Sequence, residues 1–139
     1  MRARHRIATL MAMRTLPLYL LLLLLACDTA NAAEPETIYG VAHVRKGAAE
    51  QFRLVERESW DVYLRLGLVR PDLHVVLQGV EDVDKPFFLV VFTWKSADIP
   101  EHAPQEVLDV WAKMRALCEK RSGHPPMEIS EMRLIEPRN

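Results

Sequence analysis

The sequence is poor in cysteine and lacks the short motifs that commonly bind metals or phosphates. Its 139 residues include two cysteines, Cys27 and Cys118, and five dispersed glycines. The patterns C-x-x-C, H-x-x-x-H, H-E-x-x-H and G-x-S-x-G do not occur, and the glycines form no phosphate-binding loop. These absences argue against zinc motifs, nucleotide-binding loops and serine hydrolases, and they predict neither a metal nor a cofactor.

Basic charge is also scarce once the N-terminal segment is set aside. Residues 1–33 hold four of the 18 Lys and Arg residues and one of the 19 Asp and Glu residues, so residues 34–139 carry four net negative charges. A nucleic-acid-binding protein needs a basic surface. The charge therefore excludes nucleic acid as a partner, and the length predicts one small domain over residues 34–139.

The N-terminal segment is composed as an export signal. An uncharged, nearly wholly apolar run over residues 16–26 follows four arginines and precedes a stretch of small residues. The run is shorter than the roughly 20 residues that a membrane-spanning helix needs. We therefore expect residues 1–33 to be removed on export to the periplasm or cell envelope.

Two processing sites fit this signal. Ala30-Asn31-Ala32 has the A-x-A spacing of signal-peptidase cleavage, which predicts a soluble exported protein. Leu24-Leu25-Ala26-Cys27 resembles a lipobox, in which Cys27 is lipidated and anchors the protein to a membrane. Either way Cys118 is the one cysteine of the body, so an internal disulfide is excluded.

Hydrophobic periodicity predicts six elements in the body. Strands alternate with period two and helices repeat every three to four residues. The predicted strands cover residues 38–45, 74–79, 87–94 and 127–135, and the helices run from Ala48 to a stop at Arg70-Pro71 and from Pro104 to Gly123. The order β-α-β-β-α-β predicts an α+β ferredoxin-like sandwich. Because residues 87–94 are apolar on both faces, we expect a homodimer formed through the open sheet face.

This organisation resembles the dimeric α/β-barrel superfamily, and within it the antibiotic-biosynthesis-monooxygenase (ABM-like) domains. The resemblance spans residues 38–135 and rests on the long first helix, on Trp94 in the third strand, and on the Val107-x-x-x-Trp111 helix before a short last strand. It implies a dimeric α/β barrel and cofactor-independent oxygenation of a quinol-like or phenolic molecule. Other members degrade haem or have no established activity.

The polar residues of the better-understood members match only in part. Those members place a Trp on the first helix, which Trp60 matches, and an Asn near the first strand. Here the only asparagines are Asn31 and Asn139. Haem degraders place a His on the second helix, whereas His102 precedes that predicted helix and His124 follows it.

Two histidines are the candidate bases for deprotonating a phenol. His43 shares a strand face with Arg45, a candidate substrate-binding residue, because strand side chains alternate. The alternatives are a hydrogen-bonded core histidine at position 43 and a solvated Arg45. His74 begins the second strand, where a surface role is the alternative.

Aromatic residues supply the candidate pocket walls. Trp60 and Tyr63 are neighbours on the first helix at a spacing of three, and Trp94 ends the third strand. All three are candidate substrate-binding residues, with ordinary core packing as the alternative. Glu56 or Glu58 could act as a base if buried.

The leading functional hypothesis is an exported ABM-like monooxygenase that binds a small apolar, phenolic or quinol-like molecule. The alternative is a non-catalytic small-molecule-binding or interaction domain of the cell envelope. Haem binding through His43 or His74 ranks third.

Overall fold

Four strands and two α-helices follow one another along the part of the chain that the computed structural model describes, residues 33–133 and 135. The predicted signal segment and Cys27 lie outside the described residues, apart from Ala33. The elements are β1 (Glu36–His43), α1 (Ala49–Arg65), β2 (Val69–Glu81), β3 (Lys85–Trp94), α2 (Gln105–Ala116) and β4 (Met127–Met132), with a short 3₁₀ helix over Pro100–His102.

The four strands form one antiparallel sheet in the order β2-β3-β1-β4. Both helices cover the same face, where Phe92 and Ile38 pack against Tyr63 of α1 and Val107 of α2. A second cluster near the other end of the helices is centred on Phe52. This arrangement confirms the predicted ferredoxin-like α+β fold.

The end of α1 differs from its prediction. The helix ends at Arg65 rather than at Arg70-Pro71, which lie within β2. Gly67 adopts φ +68°, and its N–H and that of the next residue bond back to carbonyls of the last turn. Glycine enters this left-handed region without the steric penalty that a Cβ imposes, so it ends the helix before the proline is reached.

Other boundaries also differ from their predictions, and α2 ends at Ala116 rather than at Gly123. β1 ends at His43, so Arg45 lies beyond the strand instead of on its face, after an isolated bridge between Val44 and Cys118. β2 begins five residues earlier than predicted, and β4 ends at Met132.

The sheet face away from the helices is apolar and incompletely covered. Leu89 and Val91 of β3 are half-buried there, and Val75 and Leu77 of the neighbouring β2 are exposed. A homodimer through this face stays a prediction. Among the described residues, no helix has the length and apolar character needed to cross a membrane.

Candidate functional site

A cavity of about 720 Å³ lies between the sheet and the two helices. Its walls are largely apolar, and the three tryptophans of the chain, Trp60, Trp94 and Trp111, all line it. The volume falls in the range of pockets that hold small organic molecules. The site is therefore sized and lined for a compact aromatic ligand.

One carboxyl–imidazole pair lines this cavity. Nε2 of His74 on β2 lies 2.8 Å from Oε1 of Glu56 on α1, and both residues line the cavity. Glu56 is 7% exposed, so this carboxylate has given up most of its contact with water. A buried carboxylate needs such a partner, because an unpaired buried charge is strongly destabilising.

The imidazole of His74 is also fixed by stacking. The indole ring of Trp60 lies parallel to it at an interplanar angle of 8° and a centroid separation of 3.8 Å. Trp60 in turn meets Phe92 edge to face. His74 is thus held at one ring nitrogen and on one ring face, and no described residue forms a hydrogen bond to its Nδ1. That nitrogen is free to exchange a proton with a ligand.

A second polar contact joins the helices at the cavity. Nε1 of Trp111 donates a hydrogen bond of 2.6 Å to the hydroxyl of Tyr63. Burial raises the pKa of Tyr63, although the hydrogen bonds from Trp111 and Ser59 act in the opposite direction. Tyr63 therefore stays a neutral phenol at physiological pH and also packs against Trp94.

Other acidic residues line the cavity in addition to Glu56. Glu36 on β1 and Glu131 on β4 both line it. Loss of solvation raises the pKa of Glu36, and the nearby Glu131 raises it further by charge repulsion and a side-chain hydrogen bond. Arg115 is the basic side chain that lines the cavity with them. Carboxylates thus outnumber arginine at this site, which disfavours an anionic ligand.

Gly40, in the middle of β1, leaves the sheet without a side chain on the side that lines the cavity. A Cβ built there would lie 3.8 Å from the carbonyl oxygens of Val90 and Glu128, which is an ordinary contact distance. Its φ is not in the left-handed region, in contrast to that of Gly67.

The structure brings four of the predicted site residues together. His74, Trp60, Tyr63 and Trp94 all line the cavity. Their functional roles stay predictions, but their convergence from three separate elements is what a binding site requires.

The other two predicted residues lie elsewhere. His43 is buried and alternates along β1 with Ala42, which packs under the helices, so its side chain belongs to the other sheet face and it does not line the cavity. Arg45 is exposed, and its guanidinium donates to the carbonyl of Ala116 at the end of α2.

Sequence reasoning did not single out Glu56 over Glu58, or its pairing with His74. The buried positions of α1 are Phe52, Glu56, Ser59 and Tyr63, so the carboxylate lies on the buried face at a spacing of four from Phe52. Glu58 is instead exposed and pairs with Lys113. The signal available in the sequence was the charged residue Glu56, which lies at helical spacing between the aromatic residues Phe52 and Tyr63.

Solved structures with the same architecture include one protein named as an oxygenase and others named as candidate monooxygenases. SnoaB from Streptomyces nogalater, a cofactor-independent oxygenase, matches at a TM-score of 0.56 and 19% identity, covering 76% of this chain and 97% of its own. A candidate antibiotic biosynthesis monooxygenase from Nitrosomonas europaea matches at a TM-score of 0.57 and 13% identity, covering 77% of this chain and 96% of its own. No family model and no curated protein matches the sequence.

This chain shares the fold of these solved structures, a ferredoxin-like α+β sandwich. The resemblance inferred from the sequence is therefore confirmed at the level of the fold. Another structure with this fold, a protein of unknown function from Bacteroides thetaiotaomicron named as a possible oxidoreductase, matches at a TM-score of 0.55 and 13% identity and covers 73% of this chain and 98% of its own. At these identities the comparisons establish architecture, and the activity has to be argued from the cavity.

Proposed function

We propose that this ABM-fold chain is a cofactor-independent monooxygenase of a neutral phenolic or quinol-like molecule. The observation that carries the proposal is the Glu56–His74 pair, set 2.8 Å apart in a cavity that all three tryptophans line. A histidine held by a carboxylate, with its second nitrogen free, is a common arrangement for a general base. The flat aromatic walls suit a flat ring.

Charge argues for the chemical class of the ligand. Glu36, Glu56 and Glu131 line the cavity with one arginine, so a carboxylate or phosphate ligand would meet repulsion. The same charges oppose haem, whose propionates are anionic, and His74 already pairs with Glu56 through Nε2. A neutral phenol avoids this charge repulsion. Its acidic O–H group can give a proton to a histidine.

The reaction we propose begins with transfer of the phenolic proton to Nδ1 of His74. Glu56 stabilises the imidazolium that forms, and Trp60 keeps the imidazole in place by stacking. The electron-rich phenolate then reduces dioxygen directly. Oxidation of a ring-conjugated CH₂ group to a carbonyl consumes one O₂ and releases one water, so the substrate supplies all the electrons.

Export and self-association complete the proposal. The signal over residues 1–33 supports activity in the periplasm or cell envelope, with a lipid anchor if Cys27 is the processing site. The apolar face of β2 and β3 supports a homodimer, which would cover that face and leave the cavity on the helix side of each sheet.

The test measures oxygen uptake by the purified protein with a panel of one-, two- and three-ring phenols that carry the ring-conjugated CH₂ group which the proposed reaction oxidises. We expect saturable uptake with one of them, and a decrease in kcat of about 10²- to 10⁴-fold in His74→Ala and a smaller decrease in Glu56→Gln. His102→Ala and Glu58→Gln are matched controls, because both replaced residues are exposed and lie outside the cavity lining.

Ligand binding is followed separately through tryptophan fluorescence, since every tryptophan borders the cavity. Trp60→Ala or Trp94→Ala should abolish turnover and weaken binding. Saturable quenching without oxygen uptake would contradict the enzyme and support the alternative, a non-catalytic binding domain. Full oxygen uptake in His74→Ala would remove the proposed base.

A further inference from the structure

A second cluster of ionisable side chains lies on the sheet face away from the helices, and one of its members, Glu128, also borders the cavity. It consists of His43 at the end of β1, His124 in the turn after α2, and Glu128 on β4. One ligand atom from each residue lies within 4.8 Å of the others. Val41 and Glu128 are paired across β1 and β4, which places Glu128 on the same face as His43.

The turn before β4 brings His124 to this face. Ser122 and Gly123 have φ of 45° and 86°, and Arg121 and His124 close the turn as an isolated bridge. The rings of His43 and His124 then lie 5.8 Å apart, and Nδ1 of His124 lies 2.7 Å from Oε1 of Glu128. Two imidazoles and a carboxylate are thus gathered from two strands and a turn.

The buried environment of His43 points to a missing ligand. It is 5% exposed, and neither Nδ1 nor Nε2 has a hydrogen-bond partner among the described residues. Leaving buried polar atoms unpaired is destabilising, so such atoms usually have a partner in the functional state. Nε2 lies 3.7 Å from Oε1 of Glu128, a separation similar to that between two ligands of one metal ion.

We propose that His43, His124 and Glu128 bind a divalent transition-metal ion of the zinc class. Zinc bonds of about 2.0–2.2 Å to imidazole and carboxylate set tetrahedral ligand atoms roughly 3.3–3.5 Å apart, so small side-chain rotations complete the site. His124 is exposed and Glu128 is half-buried, which leaves both free to make them. Mixed imidazole and carboxylate ligands disfavour Mg²⁺ and Ca²⁺, which prefer oxygen alone.

The groups around the cluster fit this assignment. Oε2 of Glu81 lies 3.3 Å from Nδ1 of His43 without hydrogen-bond geometry, and a small rotation of either side chain would let it accept the N–H of a histidine that coordinates through Nε2. The nearby cation is Arg121, 3.6 Å from Glu81, and Glu119 pairs with its Nε at 3.2 Å. The carboxylates of Glu81 and Glu119 therefore offset the positive charge of Arg121 and reduce its repulsion of a bound cation.

The test is calorimetric titration of the untagged, chelator-treated protein with ZnCl₂, repeated with MgCl₂. We expect one Zn²⁺ per chain, no heat of binding from Mg²⁺, and a rise in melting temperature with Zn²⁺. His124→Ala and Glu128→Gln should each weaken Zn²⁺ binding at least tenfold. Glu81→Gln should weaken it about tenfold with the stoichiometry retained, because it removes an orienting contact.

His102→Ala and Glu101→Gln are the matched controls, since this exposed His–Glu pair lies on the 3₁₀ helix, away from the cluster. Both should bind Zn²⁺ as the parent chain does. His124 is exposed, so its replacement leaves the core intact and keeps the test valid even if His43→Ala does not fold. Absence of saturable Zn²⁺ binding, or full affinity in His124→Ala, would overturn the proposal.

Discussion

At the scale of single residues, Cys118 shows how burial changes acid–base behaviour. Its side chain is buried after α2, and the thiol donates to the carbonyl of Met114 at 3.2 Å. Burial raises the pKa of Cys118 to about 11, although the charges of Arg45 and Arg121 act to lower it. The thiol is therefore protonated at neutral pH and is a packing residue rather than a nucleophile.

This raised pKa predicts a loss of stability at alkaline pH. Between about pH 9 and 11 the unfolded thiol ionises while the folded thiol keeps its proton, so the unfolded state binds fewer protons and the free energy of unfolding falls as pH rises. The contribution reaches about 2 kcal/mol near pH 10.5. Urea denaturation from pH 8 to 10.5 should show a steeper decline for the parent chain than for Cys118→Ala. Parallel declines would contradict the assignment.

At the scale of elements, α1 shows what sequence pattern can and cannot supply. Period and composition were enough to predict the helix and the order of all six elements. The predicted end of α1 is wrong. The prediction places the stop at Pro71, whereas Gly67 ends the helix. Proline is tolerated in β2 because this strand lies at the sheet edge and is irregular between Val69 and His74.

The same irregularity explains why the site was only partly predictable. Val69 and His74 are five positions apart on β2, but their partners on β3, Trp94 and Phe92, are two positions apart. This shift decides which β2 side chains face the helices, and it depends on tertiary pairing. The sequence therefore predicts His74 and the aromatic residues as site residues. The contact of His74 with Glu56 could be identified only from the structure.

Replacement of Gly67 tests the helix end. Gly67→Ala should lower the free energy of unfolding by about 1 kcal/mol, because alanine pays a steric cost at φ +68°. Gly67→Asn is the matched variant and should lose less, since asparagine tolerates the left-handed region. Thermal and urea denaturation measure both. Equal losses in the two variants would place the cost in side-chain contacts rather than in the backbone.

At the scale of the whole molecule, the sheet separates two different surfaces. The helix side encloses the cavity, while the opposite side exposes valine and leucine side chains of β2 next to the half-buried apolar residues of β3. Apolar faces of this kind on a small domain usually pair with another surface. A second copy of the sheet is the partner that the fold and the sequence both favour.

Charge placed on this face should separate the copies. We expect light scattering and native mass spectrometry to give a dimer for the parent chain and a monomer for Val91→Glu, with an unchanged far-ultraviolet spectrum. Val91 is half-buried and central in the sheet, paired with Tyr39 and Val75, so a charge there would be desolvated in a dimer. Val83→Glu is the control, because Val83 is 82% exposed in the turn between β2 and β3. A monomeric parent chain would refute the shared-sheet interface.

Substitution of Gly40 is a way to change which ligands the cavity admits. Neither its backbone angles nor its neighbours demand glycine, because an added Cβ would make only ordinary contacts. The space beside Gly40 is therefore open to a ligand in the cavity. Exchange of this residue for alanine or serine would narrow the range of ring sizes admitted and leave the sheet intact, so variants of this chain could diverge in ligand preference without a cost in folding.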